Sequence, residues 1–193
     1  MADRVLGGIG DVDSIFSGTG CASGGVEKIF YGKFSDFDWA GAGTTIDATT
    51  KQLTALAANA TKTLYEITYD IENTRVRSEL QNRTFYQTDV TTTVFGRTES
   101  VQAVINNMQQ LCGDLFMIVF GKDKFAEVIG VTEATDGTIV KVFDPLEIST
   151  HGNDTGVPGE KSRNELVVTC RSVYAPLSTT LTIAECAALL TAA

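Results

Sequence analysis

Between residues 63 and 95 the chain alternates apolar and polar side chains with a period of two, and that pattern most narrows what it can fold into. In Thr63–Ile71 the apolar Tyr65, Ile67, Tyr69 and Ile71 interleave with Glu66, Thr68 and Asp70. Successive side chains of a strand point to opposite faces, so this run predicts a strand with one dry and one wet face. Phe85–Phe95 is rich in Thr, Val and aromatic residues, which suit a pleated surface. Tyr86, Thr88, Val90, Thr92 and Val94 would share one of its faces. The two segments are expected to be antiparallel neighbours joined by the polar stretch Glu72–Arg83. A strand with a dry face cannot stand alone, so the rest of the chain must supply a cover.

A helix is the first cover in view. Val101, Val104, Ile105, Met108, Leu111 and Cys112 recur at steps of three and four, which draws one apolar stripe on a helix over 99–112. Thr98 is placed to cap its start, and Gly113 to take the left-handed position past its end. Strands resume at Leu115–Phe120, a continuous apolar run that predicts burial on both faces. Gly121–Lys124 reads as a turn, Phe125–Glu133 as a returning strand, and Asp136-Gly137 as a hairpin leading into Thr138–Phe143. Asp144–Arg163, with two prolines and three glycines, reads as a long loop. In the last strand, Asn164–Ala175, the side chains of Leu166, Val168, Cys170 and Tyr174 line one face. Thr182-Ile183-Ala184-Glu185 is a capping box that opens a short helix, Ile183–Leu190.

The beginning of the chain has another character. Residues 1–43 hold ten of the 18 glycines, a density that costs backbone entropy and leaves few side chains to bury. It predicts an extended arm and loop, ordered by contact with something else, whose apolar island at Val26–Phe34 reads as a short strand or a docking segment. Trp39, beside Phe37, reads as a packing anchor. The expected organisation is an N-terminal arm and loops over 1–62, a core over 63–177, and a C-terminal segment over 178–193. The fold class is mainly β (α+β): an antiparallel β-sandwich or barrel with one flanking amphipathic helix, an extended arm and a long loop. Deletion of residues 1–43 is accordingly expected to leave a folded core.

Composition removes several functions. Lys+Arg 15 against Asp+Glu 24 gives a formal charge of −9. Nucleic-acid binding draws on clustered Lys and Arg that displace counterions from phosphates, and no such cluster exists here. The longest apolar run, Leu115–Phe120, is far shorter than the roughly 20 residues that a membrane helix needs, and Met1–Gly8 does not read as an export signal. These features predict a soluble protein made inside the cell, without a membrane role. Cys21, Cys112, Cys170 and Cys186 form no closely spaced pair, and His151 is the single histidine. A structural zinc site needs four such ligands at paired spacings, so the cysteines are expected to be buried free thiols.

No constellation for catalysis is visible. His151 lies in the polar Thr150-His151-Gly152-Asn153-Asp154, where a solvated loop residue is the expectation. Gly18–Gly24 resembles a phosphate loop in its glycines but lacks the Lys-Ser/Thr that reaches the phosphates. Asp11-Val12-Asp13-Ser14 lacks the remaining ligands of a calcium loop. Three glycosylation sequons, at Asn59, Asn82 and Asn153, have no meaning without export. The expectation is a protein that is not an enzyme and that carries neither cofactor nor metal.

The order of these features points to a family. Leu64–Tyr69, Phe85–Val90, a helix, Leu115–Lys124, Val128–Val131, the Gly-rich His151–Gly156 and Glu165–Tyr174 ending at Ala175-Pro176-Leu177 together resemble structural proteins of tailed bacteriophages. The likeness is greatest to the tail tube protein of long-tailed phages, and it covers about 63–177. It implies a virion protein, made in the host cytoplasm, whose copies form hexameric rings. The inner sheets of such rings join into a β-barrel, and the rings stack into a tube. The implied partners are copies of itself and other phage tail proteins, with DNA passing through the tube unbound. Candidate lumen-facing residues are the strand carboxylates Glu66, Asp70, Asp89 and Glu127. Candidate contacts between subunits are Ile29, Phe30, Tyr31, Phe34, Trp39, His151, Asn153, Asp154 and Val157. Another virion component, such as a capsid decoration protein, head–tail connector or tail terminator, fits the same class. A soluble β-sandwich binding module is the other reading, with an aromatic groove around Trp39, Tyr31 and Phe34.

Overall fold

The computed structural model describes residues 25–59, 62–67, 74–95, 99–111, 113–135, 137–154 and 163–190. In chain order the elements are β1 (Val26–Lys33), β2 (Thr45–Ile46), β3 (Leu53–Ala55), β4 (Tyr65–Ile67), β5 (Arg75–Gln81), β6 (Phe85–Phe95), α1 (Glu99–Gln110), β7 (Leu115–Gly121), β8 (Ala126–Ile129), β9 (Val131–Glu133), β10 (Ile139–Lys141), β11 (Asp144–Asp154), β12 (Arg163–Ser172), β13 (Leu177–Ser178) and α2 (Ile183–Ala188). The chain is mainly β, 53% strand and 14% helix, built on a large antiparallel sheet.

That sheet is organised as two leaves. In the first, the order is β13-β8-β7-β1-β4; in the second, β11-β12-β6-β5. They join at a single pair, Leu115 of β7 with Leu146 of β11. Gly130 makes the join possible. It sits at φ +94°, and a Cβ there would come 2.9 Å from the Leu115 carbonyl oxygen. Glycine tolerates both demands, so β8 turns away from β7 and β11 takes the vacated edge.

The first leaf is dry on both faces along its central strand β7. Along β7, Leu115, Met117 and Val119 point between the leaves, where they meet Val90, Leu166, Val168 and Cys170 of the second leaf. Phe116, Ile118 and Phe120 point the other way, against Phe37, Trp39, Leu53 and Leu56 from the segment after β1 and Leu181 and Cys186 near the C-terminus. Each such side chain contributes about 1.5–3 kcal/mol on leaving water. The continuous apolar run at 115–120 is therefore explained by two separate packing layers. α1 lies on the inter-leaf layer through the buried Met108, with Val104 and Leu111 half-buried beside it. Asn107 of α1 hydrogen-bonds Tyr31, whose hydroxyl pKa burial raises in spite of that bond.

The second leaf is dry on one face only. Thr88, Val90 and Thr92 of β6 and Leu166, Val168 and Cys170 of β12 are buried. The hydroxyls among them pair across strands, Thr74 with Thr92 and Ser78 with Thr88, each at 2.9 Å, as buried polar atoms require.

Several sequence expectations hold. The helix expected over 99–112 is present over 99–110, as are the turn at Gly121–Lys124, the β9–β10 hairpin and the dry face of β12 through Leu166, Val168 and Cys170, whereas Tyr174 lies past the end of that strand and is exposed. The Thr182/Glu185 capping box at α2 is present as well. Thr98, Cys112 and Asp136 lie outside the described residues.

Others are corrected. Residues 26–59 are not an arm: β1 is paired on both sides within the first leaf, and Phe37, Trp39, Leu53 and Leu56 close its far face. Apolar residues spaced among glycines sufficed, because the core they join is made elsewhere. The strand at 65–67 pairs with β1 rather than β6, and the polar stretch Glu72–Arg83 contains β5, the true neighbour of β6. Phe125–Glu133 is two strands broken at Gly130. The expected loop at 144–163 is, as far as Asp154, the strand β11; Pro145 is tolerated at the start of a strand that pairs unevenly along one edge.

Candidate functional site

The outer face of the second leaf is the surface that no other part of the described chain covers. Register places the same side chains there on every strand: Arg75, Arg77 and Glu79 on β5, Gln87, Asp89 and Thr91 on β6, Glu165, Val167, Thr169 and Arg171 on β12. Asp144, Glu147 and Thr150 complete it on β11. Three rows cross the leaf: Thr150–Val167–Thr91–Arg75, Glu147–Thr169–Asp89–Arg77 and Asp144–Arg171–Gln87–Glu79.

Its charges are interleaved rather than of one sign. Arg171 pairs with Asp144 at 3.4 Å, and Arg77 pairs with Glu79 on its own strand. Asp89 accepts a hydrogen bond from the Thr169 hydroxyl at 2.8 Å. Among the described residues Arg75, Glu147 and Glu165 enter no ion pair. Such surface pairs contribute about 0–1 kcal/mol each, so they tune the face rather than hold it together.

One end of this leaf is apolar. Phe143, Val173 and Tyr174 are 61%, 57% and 56% exposed, close to where β6 begins and β12 ends. Phe85 meets Phe143 edge-to-face at 6.2 Å, and the Arg171 guanidinium lies 5.6 Å from the Phe85 ring centre. Exposed aromatics gathered at one strand end mark a surface suited to contact.

The four predicted lumen carboxylates do not share a face. Asp89 is on the outer face just described. Glu66 stands opposite Phe30 on the far face of the first leaf and pairs with Lys28 at 2.6 Å. Glu127 stands opposite Val119 and looks between the leaves, where burial and then the nearby Asp123 push its carboxyl pKa upward. Asp70 lies outside the described residues. The outer face instead carries Glu79, Glu147 and Glu165, which the sequence reading missed. The available signal was faint: β5 has only Val76 and Leu80 as apolar residues on its inner side.

The predicted subunit contacts divide as well. Ile29, Phe30 and Tyr31 are at most 1% exposed inside the chain's own core, so they cannot face a neighbour. Trp39 is also interior; it stacks on the half-buried Phe34 at 5.0 Å and donates from Nε1 to the Phe34 carbonyl at 2.7 Å. The expected aromatic groove at Trp39, Tyr31 and Phe34 does not form: Trp39 and Phe34 stack on each other on the far face of the first leaf, and Tyr31 packs between the leaves. His151, Asn153 and Asp154 lie on β11 opposite Leu166, Asn164 and Arg163. His151 Nε2 is buried with no hydrogen-bond partner. Val157 lies outside the described residues.

Chemistry for catalysis or metal binding is thin. Among the described residues no three His, Cys, Asp or Glu side chains gather as a metal site. The Cys170 and Cys186 thiols are buried, and that burial pushes both to about 12, where the nucleophilic thiolate is scarce at neutral pH. A shallow cleft of about 480 Å³ lies between Lys51, Glu133, Thr135, Tyr174 and Pro176, bridged by a Lys51–Glu133 ion pair at 2.7 Å. Among the described residues no helix is long and apolar enough to cross a membrane. Comparison with protein-family models, with curated proteins and with solved structures finds no match to this chain.

Proposed function

We propose that this chain is a structural subunit of a tailed-phage virion that assembles with copies of itself into stacked rings, the tail tube through which DNA passes. One observation carries the reading: of two leaves made by one chain, the first is buried on both faces along β7 and the second leaves a four-stranded polar face open among the described residues. Among the described residues β5 has no ladder partner beyond β6, and an open sheet edge is a template for pairing with another chain. In a ring, that face would line the channel. The exposed aromatics at its strand ends would then lie where one ring meets the next.

The charge pattern suits passage of DNA on different grounds from a wall of carboxylates. Arg77 and Arg171 are each engaged by a neighbouring carboxylate, so the face presents few free cations to exchange for phosphate counterions. The hexameric number and the virion location come from the resemblance of the sequence to the family alone.

Negative-stain micrographs and sedimentation over a range of concentrations test the reading. Rods or stacked rings are the expected result, and rings that fail to stack would favour the connector or terminator role. A species that stays at 20.6 kDa at high concentration would overturn assembly altogether. The cleft beside Tyr174 supports a second reading, a binding module, which predicts a monomer whose thermal stability rises with a ligand.

A further inference from the structure

We propose that the cleft beside Tyr174 binds a neutral saccharide, one sugar ring resting against Tyr174 while its hydroxyls bridge Lys51 and Glu133. The inference rests on the second reading above, that of a binding module, and names its ligand.

Among the described residues three segments distant in sequence wall the cleft. Thr50 and Lys51 come from the loop between β2 and β3, residues 132–135 from β9 and the turn after it, and residues 174–178 from the stretch that leads into β13. Each is held by bonds that owe nothing to a ligand. In the first, Asp47 Oδ1 accepts from the backbone N–H groups of Thr49 at 2.8 Å and Thr50 at 2.6 Å, and the Asp47 carbonyl accepts from the Lys51 N–H at 2.9 Å. In the second, the Ala134 N–H donates to the Thr138 carbonyl at 2.8 Å, and Glu133 stands opposite Ile139 in the β9–β10 ladder. In the third, β13 pairs with β8, and the Thr179 hydroxyl donates to the Leu53 carbonyl of β3 at 2.8 Å. The walls are fixed before a ligand arrives, which lowers the ordering cost of binding. At about 480 Å³ the space has the size of a small-molecule site.

The chemistry of the walls selects the ligand. Lys51 Nζ lies 2.7 Å from Glu133 Oε1, with the lysine side chain 59% exposed and the glutamate 19%. Among the described residues the lining holds no other charged side chain, so the two charges offset each other and an anion meets no uncompensated cation. An apolar guest would strip water from both charged groups and replace none of it. A sugar hydroxyl suits the pair, because it both donates and accepts. It can donate to the carboxylate while accepting from the ammonium, and hydrogen bonds to charged groups are the stronger kind. Thr50, Thr132 and Ser178 add hydroxyls of the same donor-and-acceptor type to the lining. Tyr174, 56% exposed, and Pro176 supply the apolar patch against which the C–H face of a sugar ring can lie.

Isothermal titration of the full-length chain with glucose, N-acetylglucosamine, maltose and cellobiose, and with inorganic phosphate and AMP as anions, tests this. At least one of the saccharides should bind with a dissociation constant of ~1 mM and raise the melting temperature when in excess; neither anion should. Tyr174→Ala should weaken saccharide binding about tenfold, and Tyr174→Phe, which keeps the ring, should bind as the parent does. Glu133→Gln uncovers the Lys51 charge, so it should weaken saccharide binding about tenfold and introduce phosphate binding that the parent lacks. An anion bound by the parent with no saccharide would overturn the saccharide assignment and leave the cleft a binding site, whereas no probe bound at all would overturn the binding reading with it. Saccharide binding that neither Tyr174→Ala nor Glu133→Gln changes would place the ligand elsewhere and overturn the inference. Sedimentation run beside the titrations separates a loss of binding from a change in assembly.

Discussion

The two leaves are made of similar strands and differ in what lies beyond them. The first has apolar neighbours above and below; its strand β7 is apolar from Leu115 to Phe120, and β1 is buried from Ile29 to Gly32. The second has the same inter-leaf layer on one side and, among the described residues, no cover on the other, and its strands alternate. Burial on a second face demands continuous hydrophobicity, and its absence permits arginine, glutamate and glutamine at every other position. The contrast separates stability from interaction. The first leaf holds most of the buried core, and the second carries the polar face on which the proposed function rests.

The largest test of that division is truncation. Deleting residues 1–43 removes β1, Phe37 and Trp39 from the first leaf and should abolish cooperative unfolding. A sharp thermal transition in that deletion would break the comparison. Phe116→Ala comes next. Phe116 is fully buried against Phe37 and Trp39, and its truncation should cost about 3–5 kcal/mol in a denaturant titration.

Glu127 sharpens the comparison from between the leaves. Its carboxyl pKa is raised above the ordinary 4.5 by burial and by Asp123. The folded chain therefore holds that proton more tightly than the unfolded chain, and stability from this group is greatest below pH 4.5 and falls as pH rises through the folded pKa. Glu127→Gln should be more stable than the parent at neutral pH, with the difference fading as the solution is acidified past that window; a constant difference at all pH values would show that the effect is not titration. Smallest of all, Glu165→Gln on the outer face should leave folding stability within about 0.5 kcal/mol of the parent. A large loss there would mean that the outer face is structural after all.

How much of this was legible depended on how many faces of a segment were buried. The helix at 99–110 was readable because one stripe of a 3.6-residue period meets the core. β7 was readable because no polar residue interrupts it. β5 was not, because an edge strand with one wet face needs only Val76 and half-exposed companions, and its remaining residues resemble a loop. β11 was hidden by Pro145 and Gly152, which also resemble a loop. The outer-face residues Glu79, Glu147 and Glu165 stayed hidden for the same reason, since a residue's face is known only once its strand and register are known. Glu66 and Glu127 were misplaced by that step alone: each is a strand carboxylate, and each points to a different surface.

Local order alone determined that the chain would be mainly β with one amphipathic helix, because the alternation and the 3.6-residue stripe are properties of neighbouring residues. Which strands are neighbours, that residues 26–59 belong to the core, and which side chains share the open face were decided by tertiary structure. Those outcomes depend on pairings between residues far apart in the chain, such as Tyr31 with Met117 or Leu146 with Leu115. A one-residue slip in any of them would turn every side chain of the strand to the opposite face.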